Sequence, residues 1–599
     1  MDVAKEMKHL HELARRDPTK RFTHLWGAMS SESWLTQAWE EIRRNRGSMT
    51  PGINQRTAAH ITPDDIAQLS RDLRAHTYKP QPVRRTYIPK SNGKRRPIGI
   101  STIEDRLVQQ ALRMVLEPIF EADFLNCSHG FRQKRSTHTA LRDVVRMYAR
   151  TSWIIEGDIV GCYDNIPHDG LMRAVKRRIA DQEVLTLIKR FLKAGYMEDW
   201  NFHKTYSGVP QGGIISPLLC NVFLHQLDEY LINTLKANEK QTGKEATQRR
   251  SSDYRRVENR IQRLRRKLRG NPYRSERRVL ISALQDAEKE LKHTPVYDKD
   301  KRHKSKLGYI RYADDFLILV NGSKQEAKDY KEEVNKHLLR YGLELSEEKT
   351  NITHWSQPYT FLGYEIQGRL KARGNLISAV LRIPAESERR IRGEIRKTAR
   401  YHHIPELDAM LRISSMYRGW CQYYQYARGP QATFSRLGHK VWWYYAHLLA
   451  RKARSSIRKT VVRARKAGRL KVVERKGRKR ETFTFASGKR EYILDIFPPQ
   501  TRSIHLVETG DWKVDLKPVL VPNWQNGRST LTRLTALNRS GGLCERCGKN
   551  PASRVHHKAT MKSKKTLLAK IQSDKDQSET APILCEECHL EAHHGRWWS

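Results

Sequence analysis

Apolar residues recur at helical spacing through the first 80 residues, and "SESWLTQAWEEIRR" sets Trp34, Leu35, Ala38, Trp39 and Ile42 along one face behind a capping Ser31. The pattern then changes. "RRTYIPKSNGKRRPIGI", residues 84–100, has two short β-prone runs around a Ser-Asn-Gly turn and predicts a hairpin. Helical periodicity returns over 104–150, broken by "NCSHGFRQKRST", and "WIIEGDIVGCYDNI" follows as a strand candidate. Further helices are predicted over 182–195 and from the Gly-Val-Pro-Gln-Gly-Gly stretch at 208–213 to Leu235. A strand over 309–320, "YIRYADDFLILV", precedes a helix over 324–341. Residues 385–470 alternate aromatic and basic positions at helical spacing, and 471–535 carry short β-like runs.

Between two core elements, residues 236–306 hold sparse Ile, Leu and Val among many Arg and Lys, which predicts an inserted pair of basic helices. Such a pair is either a solvated hairpin or a polyanion contact. Charge favours the second throughout: 113 Lys and Arg against 65 Asp and Glu give a formal +48 over 599 residues. A long nucleic acid is the expected partner. No run approaches the roughly 20 apolar residues of a membrane span, and the N-terminal stretch has no apolar signal region, so a cytoplasmic location is expected, with no membrane partner.

Two features carry candidate chemistry. Asp314 and Asp315 interrupt an otherwise apolar segment, where ionised carboxylates are costly unless cations offset them. Two Mg2+ ions would do so, as in two-metal phosphoryl transfer, and adjacent acids at a tight turn between strands could supply part of that cage because the turn relaxes the alternation of faces. Asp158, which also ends an apolar run, is the natural third ligand. A lone Asp-Asp pair is otherwise an ordinary turn. The second feature is C-terminal: "LCERCGK", "VHHKA" and "ILCEECHLEAHHG" give two C-x-x-C pairs, Cys544, Cys547, Cys585 and Cys588, able to complete a thiolate zinc site in a segment too short for an apolar core. Cys127, Cys162, Cys220 and Cys421 are dispersed and read as small apolar residues.

Taken in order, "YIPKSNGKRRPIGI", "HGFRQKRSTHTAL", "EGDIVGCYDNIPH", "GVPQGGIISPLLCNVFLHQLDEYL", "YADD", "LSEEKT" and "FLGYEI" resemble the successive blocks of the reverse transcriptase/maturases encoded by group II introns. The resemblance spans nearly the whole chain. It implies a multidomain α+β protein: an N-terminal helical extension of the fingers (1–80), right-hand fingers and palm with an antiparallel sheet (81–375, with 236–306 inserted), a helical thumb or maturase domain (376–480), a DNA-binding region (481–535) and a zinc-stabilised ββα nuclease (536–599). Asp158, Asp314 and Asp315 would hold the two Mg2+ ions with the backbone carbonyl of Ile159. Tyr163 would be the steric gate against a ribose 2′-hydroxyl, Gln211 would sit over the incoming deoxynucleotide, Lys90 and Arg96 would bind its triphosphate, and Lys349 would be the general acid.

The tail resembles HNH nucleases. By that likeness His556, His589 and His593 would hold one divalent ion, with His594 a substitute for His593, and His557 would activate water. Many such nucleases have Asn where Thr580 or a neighbour stands here, which leaves zinc-stabilised DNA binding as the alternative. The family implies binding to its intron RNA, splicing assistance, nicking of double-stranded target DNA and copying of the intron from dNTPs in a bacterial cytoplasm. Two rivals differ in kind: a maturase that only folds RNA, disfavoured by the intact "YADD" and Asp158, and an RNA-dependent RNA polymerase, disfavoured by Tyr163 and the nuclease-like tail.

Overall fold

The computed structural model describes residues 2–89, 93, 95–198, 201–238, 251–270, 273–294, 306–370, 377–401, 403–475, 477–488 and 490–517, with the backbone of 554–555 and 583–584. Helices dominate the N-terminus. Val3–Arg16 is capped by Asp2, Glu32–Arg43 by Ser31, and Pro63–Arg74 by a Thr62/Asp65 capping box. The first two pack on Ile103–Glu121, a helix buried on nearly every side, where fully buried Trp34 donates its indole N–H to the Ala111 carbonyl at 3.0 Å, and Pro63–Arg74 packs on Glu32–Arg43.

Strand β1 (Val83–Pro89) and strand β2 (Arg95–Ile100) form the expected hairpin, with Ile88 opposite Arg96. After helix Thr137–Met147 comes β3 (Trp153–Gly157), shorter than predicted: the chain leaves the sheet after Gly157, turns at Gly161 with φ +47°, and coils into the helical turn Cys162–Asn165. A second short hairpin, β4 (Tyr196–Glu198) and β5 (Asn201–His203), adds to the fingers sheet through parallel pairing of Val83 with Tyr196.

The strand segment over 309–320, with its acids at a tight turn, is a hairpin of two strands, β6 (Lys306–Tyr312) and β7 (Asp315–Asn321), folded back at Ala313 and Asp314. Ala313 sits at φ +58°, in the left-handed region that makes the tight reversal. With β8 (Asn351–His354) they complete an antiparallel palm sheet in the order β6-β7-β3-β8. Next come β9 (Tyr359–Phe361), β10 (Tyr364–Leu370) and β11 (Ile377–Arg382), a separate antiparallel sheet; a domain boundary at 375/376 falls between two paired strands.

The inserted pair is helical as predicted, Ser252–Arg269 and Arg274–His293, and it is anchored to the palm. Tyr254, Val257, Ile261, Ala287 and Leu291 share a core with Trp355, whose indole donates to the Tyr254 hydroxyl at 3.3 Å. Helices Ala385–Arg400, Glu406–Tyr423, Gln431–Lys452 and Ile457–Lys466 form the aromatic C-terminal bundle. Strands β12 (Leu470–Arg475), β13 (Arg478–Ser487) and β14 (Arg490–Ile493) cap it, with Phe483 against Trp442 and Tyr445 at ring distances of 5.1 and 5.4 Å. A boundary at 480/481 would cut β13.

Residues 495–517, expected within a DNA-binding region, run back onto the N-terminal half. The Val507 carbonyl accepts from Arg142 at 2.8 Å, Trp512 lies 4.4 Å from the His11 ring, and the Lys517 N–H donates to Glu41 at 2.6 Å. Among the described residues no helix is long and apolar enough to cross a membrane.

Candidate polymerase site

Strand register brings the acids together. Gly157 pairs with Phe316, so Asp158, one residue beyond the end of β3, aligns with Asp315 at the start of β7; Tyr312 pairs with Asp315 across the turn that holds Asp314. Asp315 is an exposed residue, but the surrounding protein and then the charges of Asp314 and Asp158 push its pKa up to about 6, against the pull of Lys349 and Arg96.

Lys349 stands in the loop before β8, its ammonium 2.7 Å from Asp158 Oδ2, and that hydrogen bond raises its pKa. The loop is clipped to the end of β3: Val160 N–H donates to the Glu344 carbonyl at 2.9 Å and Ser346 N–H to the Asp158 carbonyl at 2.8 Å, around an Ile159–Leu345 bridge. In that geometry Ile159 directs its own carbonyl away from the bridge. Among the described residues no three acidic, His or Cys side chains are preassembled at metal-ligating distances. The donor set is nonetheless hard carboxylate oxygen, and its mutual repulsion is what a small divalent cation relieves.

A second group joins β2 to the helical turn after β3. Arg96 Nε donates to Gln211 Oε1 at 3.1 Å, and Gln211 Nε2 donates to Asp164 Oδ2 at 3.2 Å. The Gln211 carbonyl accepts from Gly99 N–H at 2.7 Å, and Val209 N–H donates to the Tyr163 carbonyl at 2.7 Å. Gly208, at φ +88°, makes this approach possible: a Cβ there would lie 2.6 Å from the Asp164 carbonyl oxygen. Tyr163 is 8% exposed, and burial pushes its phenol pKa up. Arg85, Pro97, Asp164, Tyr206 and Gln211 line an adjoining cavity of about 420 Å3. Asp164 was not singled out from sequence, although its place beside Tyr163 was the available signal. Lys90 lies outside the described residues.

Cys544, Cys547, Cys585, Cys588, His556, His557, His589 and His593 also lie outside the described residues. Two described dipeptides flank them: Arg554 pairs with Leu584 and Val555 with Ile583, antiparallel, so the backbones just before His556 and just before Cys585 are neighbours.

Residues 88–243 and 279–366 match the family model for reverse transcriptase (RNA-dependent DNA polymerase). Part of the gap is the first inserted helix. The chain is 41% identical over 350 residues to the group II intron-encoded protein LtrA of Lactococcus lactis subsp. cremoris, covering 58% of this chain and 57% of LtrA, so it spans little more than half of that relative. Identity to protein YkfC of Escherichia coli (strain K12) is 33% over 398 residues, covering 65% of this chain and 94% of YkfC. The putative COX1/OXI3 intron 2 protein of Saccharomyces cerevisiae is 27% identical over 609 residues, covering 96% of this chain and 66% of the relative.

Proposed function

Because the chain belongs to the family of group II intron-encoded reverse transcriptase/maturases, we propose that it synthesises DNA on an RNA template at the cleft formed by Asp158, Asp314 and Asp315. The observation that carries this reading is the register of β3 against β7, which sets one acid from each of two distant segments side by side. These carboxylates and the Ile159 carbonyl are the groups that would hold two Mg2+ ions, which when bound activate the primer 3′-hydroxyl and stabilise the leaving pyrophosphate.

The protein's own side chains do the rest. Arg96 and Lys90 bind the triphosphate, a role suited to guanidinium and ammonium groups. Gln211 sits over the incoming deoxynucleotide, and Tyr163 excludes a ribose 2′-hydroxyl. Lys349 exchanges its contact with Asp158 for the leaving group and donates a proton there. The purified full chain should extend a DNA primer on RNA with dNTPs and Mg2+, and should stop when EDTA is added; a wild-type protein that extends no primer would overturn the proposal.

The intron-encoded relatives support an intron RNA as partner, whose splicing the chain would assist; double-stranded target DNA is proposed from the nuclease-like spacing of the tail alone. The Cys and His spacing of residues 544–593 supports a zinc-stabilised HNH nuclease, with Zn2+ on the four cysteines and one divalent ion held by His556, His589 and His593. His557 would be its general base. Nicking of the target DNA that survives His557→Ala unchanged would exclude that base.

A further inference from the structure

The palm hairpin carries a charge network that the proposed chemistry does not use. Arg311 and Asp228 are both fully shielded from solvent. Arg311 Nε donates to Asp228 Oδ1 at 2.7 Å, and one terminal nitrogen reaches Asp228 Oδ2 at 2.5 Å and Ser128 Oγ at 2.9 Å. The other terminal nitrogen donates to Asn221 Oδ1 and to the Ala313 carbonyl, each at 2.9 Å. All five guanidinium N–H groups are thereby used. Tyr309 donates its hydroxyl to Asp228 at 2.8 Å, and Asn221 donates to the Gly130 carbonyl at 2.8 Å. Asn221 and Asp228 lie on one face of helix Ser216–Glu229, while Ser128 and His129 pair with the Arg311 backbone.

Ala313 is the residue held. It has φ +58° and immediately precedes Asp314. Gly130 closes on the same turn, where a Cβ would meet Ala313 N at 2.4 Å. We infer that Arg311, gripped by Asp228 and Asn221, is a positioning residue for the acidic turn: its hydrogen bond to the Ala313 carbonyl fixes the direction in which Asp314 and Asp315 leave the sheet. The inference rests on the polymerase reading. Stability alone does not call for this arrangement, because buried ion pairs are often replaceable by apolar residues without loss of stability. A staple between helix and sheet would need only the carboxylate fork. The N–H spent on Ala313 serves the turn.

The test compares the full-length wild type with Arg311→Lys, which keeps a cation opposite Asp228, and with the double variant Arg311→Met/Asp228→Leu, which leaves neither charge unpaired. Thermal unfolding, single-turnover DNA synthesis on RNA, the half-saturating Mg2+ concentration and KM for dNTP are measured for each. Folded variants should synthesise about 10- to 100-fold more slowly, need several-fold more Mg2+, and keep KM for dNTP within about twofold. A folded variant with wild-type rate and Mg2+ requirement would overturn the positioning role. So would unfolding of both variants, which would assign the pair to the fold alone. A wild type that makes no DNA would instead sink the polymerase reading.

Discussion

Gly157 and Phe316 face each other across β3 and β7, and a Cβ on residue 157 would lie 2.2 Å from the Phe316 ring. The aromatic ring occupies the space that glycine leaves open, and this contact fixes the register that aligns Asp158 with Asp315. Gly157→Ala should therefore destabilise the palm by about 1–3 kcal/mol, the usual cost of overpacking, and should reduce DNA synthesis even at temperatures where the variant stays folded. Urea unfolding and primer extension on the same preparation measure both; a variant with wild-type stability and rate would show that the register tolerates a methyl group.

Asp315 yields a pH dependence whose sign is fixed. Its pKa is raised to about 6, above the ordinary carboxylate value near 3.8, so the folded metal-free chain binds a proton that the unfolded chain releases between those values. Stability from this group is greatest below pH 3.8 and is lost as pH rises to about 6. In EDTA, Asp315→Asn should melt above wild type at pH 7.5, and the gap should close as pH falls toward 4, within the range where the native fold survives. Equal melting temperatures at pH 7.5 would show that neither burial nor the neighbouring carboxylates penalise the ionised Asp315.

Tyr163 is tested by its substrate preference. The residue is almost wholly buried and is locked to Val209 through its carbonyl, so truncating the ring leaves the backbone contacts in place. Tyr163→Ala should lower the preference for dNTP over rNTP by about tenfold or more, within the range that one steric contact supplies, with a smaller change for dNTP alone. Unchanged discrimination in primer extension would remove Tyr163 as the gate.

Much of this architecture was legible because it is local. Capping residues, helical spacing and the Ser-Asn-Gly turn mark the N-terminal helices and the β1–β2 hairpin, and the acids at 158, 314 and 315 stand out against apolar flanks. What stayed hidden depends on distant partners or on backbone conformation. The acids of "YIRYADDFLILV" suggest a tight turn, but nothing in the segment announces that Ala313 makes it by adopting φ +58°. The charge of Arg311 reads as an exposed strand position until Asp228, 83 residues earlier, is placed beside it. Trp512 sits in a stretch expected within a DNA-binding region, yet it packs on His11 near the start of the chain. The inserted helices read from their charge as a polyanion contact, and Tyr254 meeting Trp355 reveals that they are also anchored to the core.

The central claim is that the aligned acids of β3 and β7 perform RNA-templated DNA synthesis. Its most direct measurement is single-turnover extension of a DNA primer on an RNA template by wild type and by the Asp314→Asn/Asp315→Asn variant, at saturating dNTP and Mg2+, with circular dichroism verifying that both are folded. The wild type should extend the primer rapidly and the folded variant should lose at least about a thousandfold, consistent with removal of metal-dependent catalysis. Extension by the variant at the wild-type rate would contradict that claim.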